Sequence, residues 1–312
     1  MTRRLLTAIL PIFCAAFILL ARVEVSPAQQ QPRQATSQEE SFMLGMIVGA
    51  IQDAHGGYLG EARGRFRKIM SELEKRTYSP RLRWQAQNEY GRFLLMAGDE
   101  KGAVKALAQS KEEAKALTGK EQFKSTFDLA SAYSQAGELD MAIKEYRAAL
   151  ALDPASHDAM LELGSAYRRA KIFPEARELY QKIIAENPKY AAAYSNLGNV
   201  YLEQGELEAA VAAYEKFAAY SDDKAVIAQN FLNAGFRHGA AGNHEKALAL
   251  YRRALEVTPD NPLAYTDIGW SLLKMGKKEE AIEAFEKALK LKPKGEVKEY
   301  ARQGLAEARG KQ

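Results

Sequence analysis

The feature that most constrains this chain is a period of thirty-four residues running through most of its 312-residue length. The clearest copy holds Tyr194, Leu197, Gly198, Tyr201, Ala210, Tyr214 and Phe217. Thirty-four residues earlier stand Met160, Leu163, Gly164, Tyr167, Ala176, Tyr180, Ile183 and Pro188. Another step back gives Thr126, Leu129, Ala130, Tyr133, Ala142, Tyr146, Ala149 and Pro154. Downstream come Phe231, Ala234, Gly235, His238, Ala247, Tyr251, Ala254 and Pro259, and then Tyr265, Ile268, Gly269, Leu272, Ala281, Phe285, Ala288 and Pro293. A weaker copy holds Tyr90, Gly91, Leu94, Ala103 and Leu107. Repetition at this period marks units too small to bury an apolar face alone, which bury it by stacking on neighbours.

The spacing inside one unit predicts two helices. Steps of three and four place Leu197, Gly198 and Tyr201 on one face of a first helix. Gly198 and Ala210 are small, so the two helices of a hairpin can approach closely. Tyr201 and Tyr214 are expected to fill the space toward the neighbouring hairpin. Gly137, Gly205, Gly242 and Gly276 fall just after the first helix, where a left-handed residue ends it without a Cβ clash. Pro154, Pro188, Pro259 and Pro293 follow the second helix and stop it.

This pattern closely resembles the tetratricopeptide repeat. The resemblance implies an all-α fold, a right-handed solenoid of antiparallel helix pairs with a C-terminal capping helix. Six repeats fill residues 84–295, bordered as 84–117, 123–156, 157–190, 191–224, 228–261 and 262–295, with insertions at 118–122 and 225–227. Ala62, Phe66 and Ile69 echo Ala103 and Leu107, so 41–83 is read as a degenerate first repeat, with a first helix from Phe42 to Ala54. Residues 296–312 are read as capping helix and tail, with Tyr300 and Leu305 on one side.

Ahead of the array, residues 1–28 read as an address. Arg3 and Arg4 precede an uncharged run from Leu5 to Ala21, and Ser26-Pro27-Ala28 offers small residues for cleavage, in the order of a secretory signal peptide. The run is also close to the roughly 20 residues that span a bilayer, so an uncleaved N-terminal anchor is the alternative. Residues 29–40, rich in Gln, Ser and Pro, are read as a flexible linker. The single cysteine, Cys14, lies inside the address, so the body holds no thiol. The chain carries 44 basic and 40 acidic residues, no basic excess of the kind nucleic-acid binding requires. The body is therefore expected to be exported, periplasmic or in the cell envelope, and tethered to the inner membrane if the segment stays uncleaved.

No phosphate-binding loop, nucleophile elbow, zinc-protease motif or dinucleotide fingerprint occurs. The nearest metal candidate is His238 with His244, two ligands without a third. His238 occupies a slot held by tyrosine in other repeats and reads as a packed core residue. No enzyme activity, cofactor or metal is expected.

In tetratricopeptide folds the first helices line a concave groove. Carried over by position, that groove would present Asn88, Arg92, Phe127, Ser131, Leu161, Ser165, Arg168, Ser195, Asn199, Leu202, Leu232, Phe236, Thr266 and Trp270. Phe127, Phe236 and Trp270 are the informative ones, either anchors for a partner or packing, the last two against each other or under the terminal cap. Asn199 matches a groove asparagine that holds a peptide backbone or terminal carboxylate in related domains. The basic cluster that accompanies it in chaperone-binding relatives is missing: Ala192, Leu161, Ser195 and Thr266 stand in those places. The expected partner is a protein or peptide of mixed apolar and polar character, with no nucleic acid, and with membrane contact only through an uncleaved N-terminal segment. The function read from the sequence is a non-enzymatic interaction scaffold of the envelope. The alternatives are a membrane-tethered assembly factor and a glycan- or polymer-handling protein.

Overall fold

A computed structural model describes residues 32–310; the address segment read at 1–28 lies outside them. Fifteen helices account for most of the described residues. The chain divides into two compact units, one ending at Glu89 and the other starting at Tyr90. The division falls inside helix α3 (Pro80–Met96).

The first unit is built on a hairpin of α1 (Ser37–His55) and α2 (Leu59–Lys75). Met43, Ile47, Ala50 and Ala54 of α1 and Ala62, Phe66, Ile69 and Leu73 of α2 are buried, four on each helix at helical spacing. Gly57 turns the chain between them with φ of 83°. Part of the expected linker is folded. Arg33–Gln34 form a short strand β1 that pairs in parallel with β2 (Arg76–Thr77). Thr36 and Glu39 then form a reciprocal capping box that starts α1 five residues ahead of Phe42. Two local devices, an edge pairing and a helix cap, order a stretch whose composition reads as linker.

The second unit repeats one hairpin. After α3 come α4 (Glu100–Ala114), α5 (Gly119–Gln135), α6 (Leu139–Leu152), α7 (His157–Arg169), α8 (Phe173–Glu186), α9 (Ala191–Gln204) and α10 (Leu207–Tyr220). They continue as α11 (Lys224–Ala240), α12 (His244–Val257), α13 (Pro262–Lys274), α14 (Lys278–Lys290) and the terminal α15 (Gly295–Ala308). The two insertions are not loops. They are the opening turns of α5 and α11, which run to 17 residues where α7 and α13 have 13. In α11 the Asp223 carboxylate accepts from the Val226 amide and caps the added turn.

Within four hairpins an aromatic ring of the second helix lies on the small residue of the first, and in the hairpin of α3 and α4 Leu107 lies on Gly91 instead. A Cβ placed on Gly164, Gly198, Gly235 or Gly269 would sit 2.5 to 2.7 Å from a ring carbon of Tyr180, Tyr214, Tyr251 or Phe285 respectively. This corrects the expectation for Tyr214, which fills the gap inside its own hairpin. Tyr201 does reach the preceding hairpin, where the Arg177 guanidinium lies 4.6 Å from its ring centroid. The turn glycines Gly137, Gly205, Gly242 and Gly276 all have φ near 80°. In the repeat that lacks a glycine there, Lys171 takes the same left-handed conformation at φ 60°.

Candidate functional site

Within the second unit, each first helix from α5 onward touches the first helix of the next hairpin, and the second helices make no comparable contact with one another. Helices that crowd on one side and spread on the other form a wall with a concave inner face. The first helices α5, α7, α9, α11 and α13 are that wall, so their solvent-facing side chains are the candidate site.

Counting from the small residue of each first helix orders the wall into columns. The residue just after it is Ser131, Ser165, Asn199, Phe236 and Trp270 in successive repeats. The column thus changes from hydroxyls and an amide to large aromatics toward the C-terminus. Two residues before it stand Asp128, Glu162, Asn196, Asn233 and Asp267, an acid or its amide every time.

Several residues expected in the groove are buried or already bonded within the protein. Asn88 is fully buried, as are Leu232 and Thr266, so none of them presents a side chain to a partner. Thr266 Oγ1 donates to the Pro262 carbonyl at 2.8 Å. Ser195 is buried and accepts from Asn230 Nδ2 at 2.9 Å, a polar link between α9 and α11. Asn199 Oδ1 accepts from the Tyr214 hydroxyl at 2.7 Å. That bond satisfies a buried phenol, so Asn199 serves the hairpin before it can serve a ligand. Phe127 is half-buried, stacked on Phe123 at 5.8 Å and edge-on to Tyr146. Leu161 is likewise half-buried against the core.

Others stay at the surface. Arg92 is exposed, and Ser131 is partly so. Arg168 forms an ion pair with Glu203 of the next repeat. Leu202 lines an open cleft of about 420 Å³ with Glu203, Arg237, Lys171 and Phe173. Its carbonyl accepts from the Arg237 guanidinium at 3.3 Å. Arg169 donates to both the carbonyl and the hydroxyl of Ser134. These arginines clip consecutive first helices together at their C-terminal ends, where a cation also meets the negative end of the helix dipole.

Phe236 and Trp270 are brought to one place. Phe236 is 62% exposed. Trp270 stacks on Tyr300 of α15 at 5.0 Å and meets Phe285 edge-on at 5.7 Å. Trp270 is therefore packed under the cap, yet it also lines a cleft of about 190 Å³ with Phe236, His244, Tyr251, Asp267, Lys274 and Tyr300. Burial alone pushes the Asp267 carboxyl up to about 7. Glu162, in the same column, is also raised, by desolvation and by the neighbouring Asp158. Asp267 was not among the residues read from the sequence. Its signal was the acid-or-amide column, visible only once the repeats are aligned on the small residue.

His238 is buried, and desolvation lowers its pKa, disfavouring the charged ring. Among the described residues no three His, Cys, Asp or Glu side chains converge as metal ligands, and no helix is long and apolar enough to cross a membrane.

Similarity to known proteins follows the architecture. One tetratricopeptide repeat model matches residues 127–191, and another matches 189–260 and 225–294. The C-terminal part of a repeat-containing protein of this kind from Cytophaga hutchinsonii superposes with a TM-score of 0.60 at 18% identity, over 83% of this chain and 99% of that one. A tetratricopeptide repeat protein from Parabacteroides merdae gives 0.59 at 17%, over 84% and 98%. MamA gives 0.46 at 27%, over 53% and 94%. No curated protein matches the sequence. The family matches together run from residue 127 to 294, more than half of the 312 residues, on the hairpins whose packing repeats the signature. The chain belongs to the tetratricopeptide repeat family, whose arrays are scaffolds for protein–protein interaction.

Proposed function

We propose that this protein is an interaction scaffold of the cell envelope that seats a segment of a partner protein against the wall formed by α5, α7, α9, α11 and α13. The observation that carries the reading is Phe236, a large aromatic left 62% exposed on a first helix beside Trp270. An exposed ring on a rigid inner face is the kind of anchor around which interfaces concentrate their binding energy. The repeat signature does not need an aromatic there, since Ser131, Ser165 and Asn199 hold the same position in other hairpins. The wall is held in place before a partner arrives. The Asn230–Ser195, Arg168–Glu203 and Arg169–Ser134 links join successive first helices. Little conformational freedom is then lost by the scaffold on docking.

The envelope location is read from residues 1–28, and fractionation of cells with N-terminal sequencing of the recovered protein tests it. An intact Met1 on soluble cytoplasmic material overturns it. The groove is tested with a photo-crosslinking side chain at position 236 and, as a control, at Glu215, an exposed residue of the second helix α10. A discrete crosslinked partner at 236 and none at 215 is expected. Equal products at both positions overturn the site.

A further inference from the structure

We propose that the cleft between α11, α12, α13 and α15 is the seat for an arginine side chain of the partner segment. The guanidinium lies against the aromatic wall and donates to Asp267. This deepens the groove reading above and rests on it.

The cleft is walled by Phe236 from α11, Tyr251 from α12, Trp270 from α13 and Tyr300 from α15. Its volume of about 190 Å³ far exceeds the roughly 10–15 Å³ that admits one water, so it has room for a side chain. One acid stands in it. Among the described residues Asp267 makes neither a hydrogen bond nor an ion pair, and a half-buried carboxylate without a counter-charge is a site that a cation improves. The other charged or titratable groups facing it are His244 and Tyr251 from α12, Lys274 from its own helix, and Tyr300 from α15. Lys274 does not neutralise it, because its ammonium stands over Trp270, 6.0 Å from the ring centroid.

Both kinds of cation stand over rings in this chain, Lys287 Nζ lying 4.5 Å from the Tyr265 centroid, so the choice of guanidinium over ammonium rests on the acid beside the rings. Arg147 lies over Tyr167 at 5.5 Å and Arg177 over Tyr201 at 4.6 Å, each joining neighbouring hairpins, and Arg253 lies over Phe231 at 5.2 Å within one hairpin. A planar guanidinium combines ring stacking with forked donation to a carboxylate, which a point-like ammonium does not. The C-terminal cleft has the rings and the acid, and among the described residues no arginine lines it. Two further atoms there, Trp270 Nε1 and His244 Nδ1, are buried without a hydrogen-bond partner. A main-chain carbonyl flanking the incoming arginine accepts from the indole N–H and completes the contact.

The test uses the full chain and N-acetyl-arginine amide as probe, with N-acetyl-norleucine amide as the uncharged control. The readout is the indole N–H resonance of Trp270, one of two tryptophans. The arginine probe shifts this signal saturably and the norleucine probe does not. Asp267→Asn weakens binding at least tenfold, and Phe236→Ala, an exposed position that does not threaten the fold, weakens it severalfold. Because the carboxyl must ionise to bind, wild-type affinity rises about tenfold from pH 6 to pH 8. The rise is lost in Asp267→Asn and kept in His244→Asn. An equal response to norleucine, unchanged binding in Asp267→Asn, or no saturable shift overturns the arginine assignment. None of those outcomes touches crosslinking at position 236, so failure here and failure of the groove are told apart.

Discussion

The contact between small residue and ring inside a hairpin makes a demanding quantitative prediction, because it reverses the usual effect of a substitution. Glycine to alanine in a helix interior normally stabilises by about 0.5–1 kcal/mol, through lower backbone entropy in the unfolded chain. Gly64 in α2 has nothing within 4 Å of an added Cβ and is exposed, so Gly64→Ala gains that amount. Gly198 has the same helical setting but the opposite surroundings. An added methyl there lies 2.5 Å from Cε1 and 2.7 Å from Cδ1 of Tyr214. The ring cannot step aside, since it is fully buried and its hydroxyl is tied to Asn199 Oδ1 at 2.7 Å. Overpacking of this kind costs about 1–3 kcal/mol, from which the intrinsic gain of roughly 1 kcal/mol is subtracted. Gly198→Ala is therefore destabilising by up to about 2 kcal/mol. In a Tyr214→Ala background the methyl has room and the ordinary gain returns, giving a coupling energy of about 2 kcal/mol. Urea unfolding followed by circular dichroism measures all four proteins. If Gly198→Ala shifts the midpoint upward as Gly64→Ala does, or if the coupling with Tyr214→Ala is near zero, the close-approach argument is wrong.

Other consequences follow from single features. Lys171→Gly is expected to stabilise by about 1 kcal/mol, because the position is held at φ 60° where the other five repeats use glycine, Gly98 among them; a higher urea midpoint checks it. Asn199→Ala orphans the buried Tyr214 hydroxyl and costs about 1–3 kcal/mol, so a loss of partner binding in that variant is separated from its loss of melting temperature before it is read as a contact. Asp267 gives the pH dependence. Its carboxyl is raised by burial from 3.8 to about 7, so the folded chain keeps a proton that the unfolded chain releases. The stability linked to that proton is complete below about pH 4 and lost as the pH climbs through 7. Asp267→Asn removes the decline. At pH 8 it is expected to be more stable than wild type by up to roughly 4 kcal/mol, and at pH 4 the two are equal. Thermal melts at both pH values decide it, and a parallel pH dependence in both proteins refutes it.

The period placed the helix pairs most clearly where a copy carries its own punctuation. Gly137, Gly205, Gly242 and Gly276 mark where the first helices stop, and the prolines after the second helices mark where those stop. What the period could not reveal was anything decided by local capping. The Thr36–Glu39 box and the Asp223 cap turned presumed linker and insertion into helix. Both were written in the sequence as short polar signals that repeat alignment passes over.

The wall shows the deeper division. Sequence determined which residues sit on the first helices, since helical spacing fixes the face. Tertiary structure decided which of them remain available, because availability depends on what the neighbouring hairpin does with them. Ser195 is consumed by Asn230, Asn199 by Tyr214 and Arg168 by Glu203. Phe236 and Trp270, 34 residues apart, could have packed together or stood free. The position of α15 sets their exposure apart within one cleft, covering Trp270 with Tyr300 and leaving Phe236 62% exposed. A repeat sequence encodes contacts one period at a time. Past Pro293 the described residues hold one helix, and its packing fixes what the face of the preceding hairpin exposes.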